Sequence, residues 1–175
     1  MTLRAALLLP LLVLSAPRGA AAEVLLKSIV WHTASTAKGD SRAYTPVERW
    51  VLPPGPRLPA KARALVTIVN RGPKAAEAVV LRYAVTARLV KLGEEGKEGV
   101  WTVPFWLEER RVSRVKPNQA KDVPIDHMLL EMFLKKAYRA GYWIDGLKIH
   151  VMVEPRAGEG FAQRILEQVL PVAVR

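Results

Sequence analysis

Residues 62–92 read ARALVTIVNRGPKAAEAVVLRYAVTARLVKL, and this stretch decides the fold. In its second half Val79, Leu81, Tyr83, Val85, Ala87 and Leu89 alternate with Val80, Arg82, Ala84, Thr86, Arg88 and Val90. Successive side chains of a β-strand point to opposite faces, so this is a strand with one apolar face and one mixed face. Just before it, Ala64, Val66 and Ile68 alternate with Arg63, Leu65 and Thr67, which predicts a second strand. Asn70-Arg71-Gly72-Pro73 separates the two runs, and Gly and Pro there punctuate a tight turn.

The chain ahead of this unit begins with a different kind of segment. Met1-Thr2-Leu3-Arg4 is a short positive start, Ala5 to Leu14 is apolar apart from Pro10, and Ala20-Ala21-Ala22 supplies small residues for a signal peptidase. The pattern predicts a secretory signal over residues 1–22 and a single domain over 23–175, in the periplasm or outside the cell. An uncleaved anchor is the rival reading, but the apolar run is short for a bilayer core of ~30 Å. No other segment is apolar enough to cross a membrane.

The chain has no cysteine, which excludes disulfides and thiolate metal sites. Its stability must come from a hydrophobic core, which the 50% hydrophobic composition and five Trp can supply. Without Arg4 and Arg18 of the leader, 25 basic residues face 16 acidic ones, a net charge of +9. Such a charge favours an anionic partner, an envelope protein or an anionic polymer, and export makes nucleic acid the least favoured of these. The bland reading is a solvated basic surface, since the basic residues are spread along the chain.

Taken in order, Glu23 to Thr33 reads as the first strand, apolar in both registers. Pro46, Pro53, Pro54, Pro56 and Pro59 allow only a short edge strand at Glu48 to Leu52, because each proline removes a ladder donor. Trp50 there is expected to pack on the domain; the alternative is an exposed aromatic for a ligand. Gly93 to Gly99 is a hairpin tip. Val100 to Val115 reads as one bent strand or two short ones broken at Pro104, with charge on both faces after Leu107, as an edge strand requires. Arg110, Arg111, Arg114 and Lys116 form a basic strip along it that could dock an anion, with Glu108 and Glu109 as local partners.

Lys116-Pro117-Asn118-Gln119 is a turn and Ala120 to Ile125 a short strand. Asp126 is expected to cap a helix over about 127–140. Its apolar face is Leu129, Leu130, Phe133, Leu134, Ala137 and Tyr138, its last turns carry Lys135, Lys136 and Arg139, and Gly141 ends it. Asp145-Gly146 is a hairpin-type signal between Tyr142–Ile144 and a strand whose inward face is Leu147, Ile149, Val151 and Val153. Gln168 to Val174 is a final strand, while Gly160 to Glu167 fits either a helical turn or a strand.

These elements predict a mainly β fold: an antiparallel β-sandwich of about seven strands with one inserted α-helix. Ala64 to Val85 resembles the strand–Asn-x-Gly–strand unit of immunoglobulin-like domains exported by bacteria, including cell-adhesion-related and fibronectin-like ones. Val66, Ile68, Asn70 and Gly72 are the residues that match. Asp122 to Asp126 and Gly141 to Val153 fall where such domains place later strands. The resemblance implies an immunoglobulin-like sandwich and an exported location, and no ligand. Periplasmic pilus chaperones are also basic immunoglobulin-like proteins, but they have two sandwich domains where this chain has room for one.

No G-x-S-x-G, H-E-x-x-H or phosphate-cradling glycine loop is present, and the expectation is a binding module, not an enzyme. Two His and three of the four Met gather in His127-Met128, Met132 and His150-Val151-Met152. Imidazole with thioether is a ligand set that suits copper(I). The set is similar to that of periplasmic copper chaperones of cupredoxin-like fold, which implies His127, His150 and Met152 as ligands. The intervals here are shorter than that family's, and His127 falls on the expected helix. The competing reading, with no cofactor, has Met128 and Met132 pack the helix and His150 and Met152 line a strand face.

Overall fold

The computed structural model describes residues 22–35, 43–53, 55–94, 97–126, 129–155, 161 and 164–174. The leader reading, His127, Met128 and most of the loop after Pro155 lie outside them. The described chain is mainly β, with ten strands in two sheets and one helix. Seven strands are seven residues or longer: β1 (Val24–Ser35), β4 (Ala60–Asn70), β5 (Ala76–Lys91), β7 (Trp106–Val115), β8 (Ala120–Asp126), β9 (Tyr142–Val153) and β10 (Ile165–Val174). The other three, β2 (Thr45–Pro46), β3 (Trp50–Leu52) and β6 (Val100–Trp101), are short, as the prolines around them require.

One sheet has the order β2-β1-β4-β8. The other runs β3-β10-β9-β5, with β6 and β7 both laid along the outer edge of β5. Every pairing is antiparallel except β3 with β10. Both sheets contribute to one core. Val66 and Ile68 of β4, Leu81 and Val85 of β5, Ile149 and Val151 of β9 and Leu170 of β10 are all buried within it. The alternation in residues 62–92 is the cause: the predicted inward residues of β4 and β5 are buried, while Arg63 and Thr67 are half-buried and Arg82 is exposed. Only Leu89 of the inward set is half-buried.

The turn after Asn70 does not fold a hairpin. β4 and β5 lie in different sheets, so the turn carries the chain across the core. Lys116 to Gln119 crosses back in the same way, with Asn118 in the left-handed region at φ 52°. The Pro104 break is where Val100–Val115 divides into β6 and β7. Trp50 is buried, as its packing role requires.

Two local expectations are corrected. Asp145-Gly146 is no hairpin: β9 is continuous through it, and Asp145 is an extra residue in the register between Arg88 and Leu89 of β5. A β-bulge absorbs the same Gly-containing signal without reversing the chain. Its carboxylate accepts a hydrogen bond from Arg88 Nε at 2.8 Å. Asp126 is the last residue of β8, and α1 (Leu130–Arg139) starts after Leu129 with no side-chain cap. Pairing of Asp126 with Arg63 extends β8 through that position. The helix buries Leu130, Leu134 and Ala137, places Lys136 and Arg139 in its last turn, and is followed by Gly141 at φ 84°. No helix among the described residues is long and apolar enough to cross a membrane.

Candidate binding surfaces

β7 is an edge strand because its ladder runs to β5 alone. Directly opposed residues share a face, so Arg111 projects with Val80, Arg114 with Glu77, and Arg110 with the buried Leu81. All three arginines are exposed, as is Lys116 in the following turn. The two acids of the strand are engaged separately. Glu109 Oε1 accepts from Arg111 Nη2 at 3.1 Å, and Glu108 Oε2 accepts from the Tyr83 hydroxyl at 2.9 Å. Burial, and next the Glu108 carboxylate, push the Tyr83 pKa up to about 12. Arg110, Arg114 and Lys116 have no carboxylate partner among the described residues.

A buried asparagine enlarges this strip. Asn70 is fully buried, and its Oδ1 accepts the backbone N–H of Glu23 at 3.1 Å and of Gly72 at 3.0 Å. Its Nδ2 donates to the carbonyls of Lys74 at 2.7 Å, Val115 at 3.2 Å and Lys116 at 3.3 Å. The two chain crossings are thereby held against each other. Exposed Arg71 and Lys74 of one crossing join Arg114 and Lys116 of the other. Lys121 of β8 reaches over to the Arg114 carbonyl at 3.3 Å. Five cations thus gather at one end of the molecule. Sequence reading singled out only Arg114 and Lys116 of these, since Arg71 and Lys74 lie about forty residues away in the chain and Lys121 belongs to the next strand.

The basic residues of α1 are not part of this end. β5 runs from Ala76, beside the Asn70 crossing, to Lys91, and Leu92 N–H donates to the Gly141 carbonyl just after α1. Sixteen residues at a strand's rise separate the two ends by roughly 40–50 Å.

His150 and Met152 share the outward face of β9, opposite Ala84 and Arg82. His150 Nε2 lies 3.1 Å from Glu167 Oε2 on β10, and both side chains are partly exposed. His127 is outside the described residues, so its distance from His150 is not defined. Met132 is set apart from this face, on α1. Among the described residues no group of three or more His, Asp or Glu side chains is placed to hold a metal ion.

A third feature had no signal in the sequence. An apolar groove of about 610 Å³ opens between α1 and the 102–105 segment that joins β6 to β7. Leu129, Met132, Phe133 and Lys136 form the helix wall; Val103 and Phe105 form the other; Leu89 and Tyr142 lie between. Phe105 and Phe133 stack with ring centroids 4.2 Å apart, which brings the two walls into contact there. Lys136 is the only charged lining residue among the described residues. Its neighbour Lys135 is taken by Glu131 at 2.7 Å, and that contact holds the Glu131 carboxyl below its ordinary range.

No family model and no curated protein matches this chain. Among solved structures it is similar to a β-D-glucoside glucohydrolase from Trichoderma reesei, with TM-score 0.42 and 16% identity over 87% of this chain and 19% of that one. The β-glucosidase EmGH1 from Erythrobacter marinus gives TM-score 0.39 and 12% identity over 87% of this chain and 16% of that one. The C-terminal domain of wzt gives TM-score 0.33 and 10% identity over 90% of this chain and 80% of that one. The chain spans less than a fifth of the length of either glucosidase. Resemblances at this level carry no functional argument.

Proposed function

We propose that this chain is an exported, non-catalytic binding domain of immunoglobulin-like topology whose basic end contacts an anionic partner in the cell envelope. The strand order supports the topology. β1-β4-β8 corresponds to strands A, B and E of an immunoglobulin sheet, and β10-β9-β5-β7 to G, F, C and C′ of the facing sheet. The leader reading supports export.

The observation that carries the anionic partner is the Asn70 junction, which collects Arg71, Lys74, Arg114, Lys116 and Lys121 from three segments. Arg114 and Lys116 make no ion pair among the described residues, although Glu77 lies opposite Arg114 in the ladder. Cations gathered this way raise the local concentration of an anion and speed its encounter. A basic edge strand also resists pairing with a second copy, so the surface is kept for a partner of opposite charge.

The test is binding of a sulfated polysaccharide against neutral dextran, measured by calorimetry between about 50 and 200 mM salt. The expected result is binding to the sulfated polymer alone, weakening steeply with salt. Equal affinity for both polymers, or no salt dependence, overturns the reading.

A further inference from the structure

We propose that the groove beside α1 binds the hydrocarbon chain of a single anionic amphiphile, with Lys136 receiving its head group. This site is separate from the basic end and does not depend on it.

The argument begins with the helix. α1 carries two apolar stripes. Leu130, Leu134 and Ala137 face the core and are buried. Leu129, Met132 and Phe133 are displaced to one side of that stripe, and the first two stay exposed, Met132 at 60%. Phe133 of this stripe packs against the core, but Leu129 and Met132 extend beyond what the core covers. The segment facing it repeats the pattern: Val103 is 82% exposed, although Phe105 beside it packs against the core. Apolar side chains left in water on both walls of one groove mark a surface that is covered when occupied.

The shape selects a small ligand. The groove is concave, walled on two sides, and its volume of about 610 Å³ lies within the range of ligand sites, ~300–1,000 Å³. Its few polar groups, the Thr102 and Tyr142 side chains and Lys136, suit a ligand that is apolar for most of its length and polar at one end. The charge selects the head group. Among the described residues Lys136 has no carboxylate partner and no acid lines the groove. A carboxylate, sulfate or phosphate at the end of an alkyl chain complements that arrangement; a cationic head does not. The two-walled form favours one inserted chain over the flat surface of a bilayer.

The test uses the full chain and calorimetric titration with octanoate, decanoate and dodecanoate below their micelle concentrations, with decanol as the uncharged probe. Each added methylene is expected to tighten binding about fourfold until the groove is filled. Decanoate is expected to bind up to about fivefold tighter than decanol. Lys136→Gln removes that preference and keeps the chain-length dependence; Met132→Asp removes the chain-length dependence. Both positions are exposed, so neither substitution is expected to disturb the core, and circular dichroism is the check on the fold of each variant. Lys116→Ala at the basic end leaves all of these titrations unchanged, which separates the outcome from the proposal above. No binding of dodecanoate, or binding that Met132→Asp leaves intact, overturns the proposal. Binding only to vesicles of anionic phospholipid also overturns it, in favour of a bilayer-docking face.

Discussion

The side-chain amide of Asn70 donates to the carbonyl of Val115 at 3.2 Å, joining the end of β4 in one sheet to the end of β7 in the other. The same side chain accepts from Glu23 and Gly72. Each buried polar group left without a partner costs ~1–3 kcal/mol. Asn70→Ala is therefore expected to destabilise the domain by roughly 3 kcal/mol or more, read as a lowered urea midpoint. Asn70→Asp keeps the acceptor and loses the donor, so it should recover only part of that loss. A loss below ~1 kcal/mol for Asn70→Ala would show that the two crossings hold together without it.

Tyr83 links stability to high pH. Its folded pKa is raised to about 12 from the ordinary tyrosine value of 10.0, so the folded state keeps the phenol proton after the unfolded chain has begun to lose it. Stability from this group is complete below pH ~10 and is lost as pH rises toward ~12. The size is of order 2 kcal/mol. Comparing urea midpoints at about pH 9 and pH 11.5, the wild type should fall further than Tyr83→Phe. Equal falls would remove Tyr83 from the alkaline limb.

At the basic end, Arg114→Ala with Lys116→Ala is expected to weaken binding of the sulfated polymer and reduce the slope of log K against log salt by about two charges' worth. Arg111→Ala should have a smaller effect, because Arg111 is already paired with Glu109. The opposite ranking would place the contact elsewhere on β7.

Gly99 lies where a Cβ would come within 2.7 Å of the Leu89 carbonyl oxygen and 3.0 Å of Asp145 Oδ1. Gly99→Ala must therefore displace backbone beside the β9 bulge, and a loss of ~1–3 kcal/mol in thermal or urea unfolding is expected. Gly93→Ala is strained for a different reason: there is open space around it, but its φ is 84°. Wild-type stability in Gly99→Ala would mean that the β6 hairpin shifts without cost.

Much of the fold was legible in residues whose neighbours along the chain decide their environment. Alternation identified β4 and β5, proline placement limited β2, β3 and β6, and charge on both faces marked β7 as an edge. The misreadings fall where one local signal serves two geometries. Asp145-Gly146 supports a hairpin or a bulge, and only pairing with Arg88 and Leu89 decides between them. Asp126 suits a helix cap or a strand end, and its ladder with β4 selects the strand.

Of the expected site residues, Arg110, Arg111, Arg114 and Lys116 lie together on β7 and its turn because they are adjacent in sequence. Arg71 and Lys74 join Arg114 and Lys116 through the Asn70 junction, Lys121 joins them through its bond to the Arg114 carbonyl, and the groove exists only because α1 packs beside residues 102–105. Alternation, proline and turn chemistry act over a few residues, so the chain by itself determined its strands, its turns and its charge. Which strands share a sheet, which cations meet and which apolar residues are left uncovered depend on contacts between segments tens of residues apart, and those the tertiary structure alone decided.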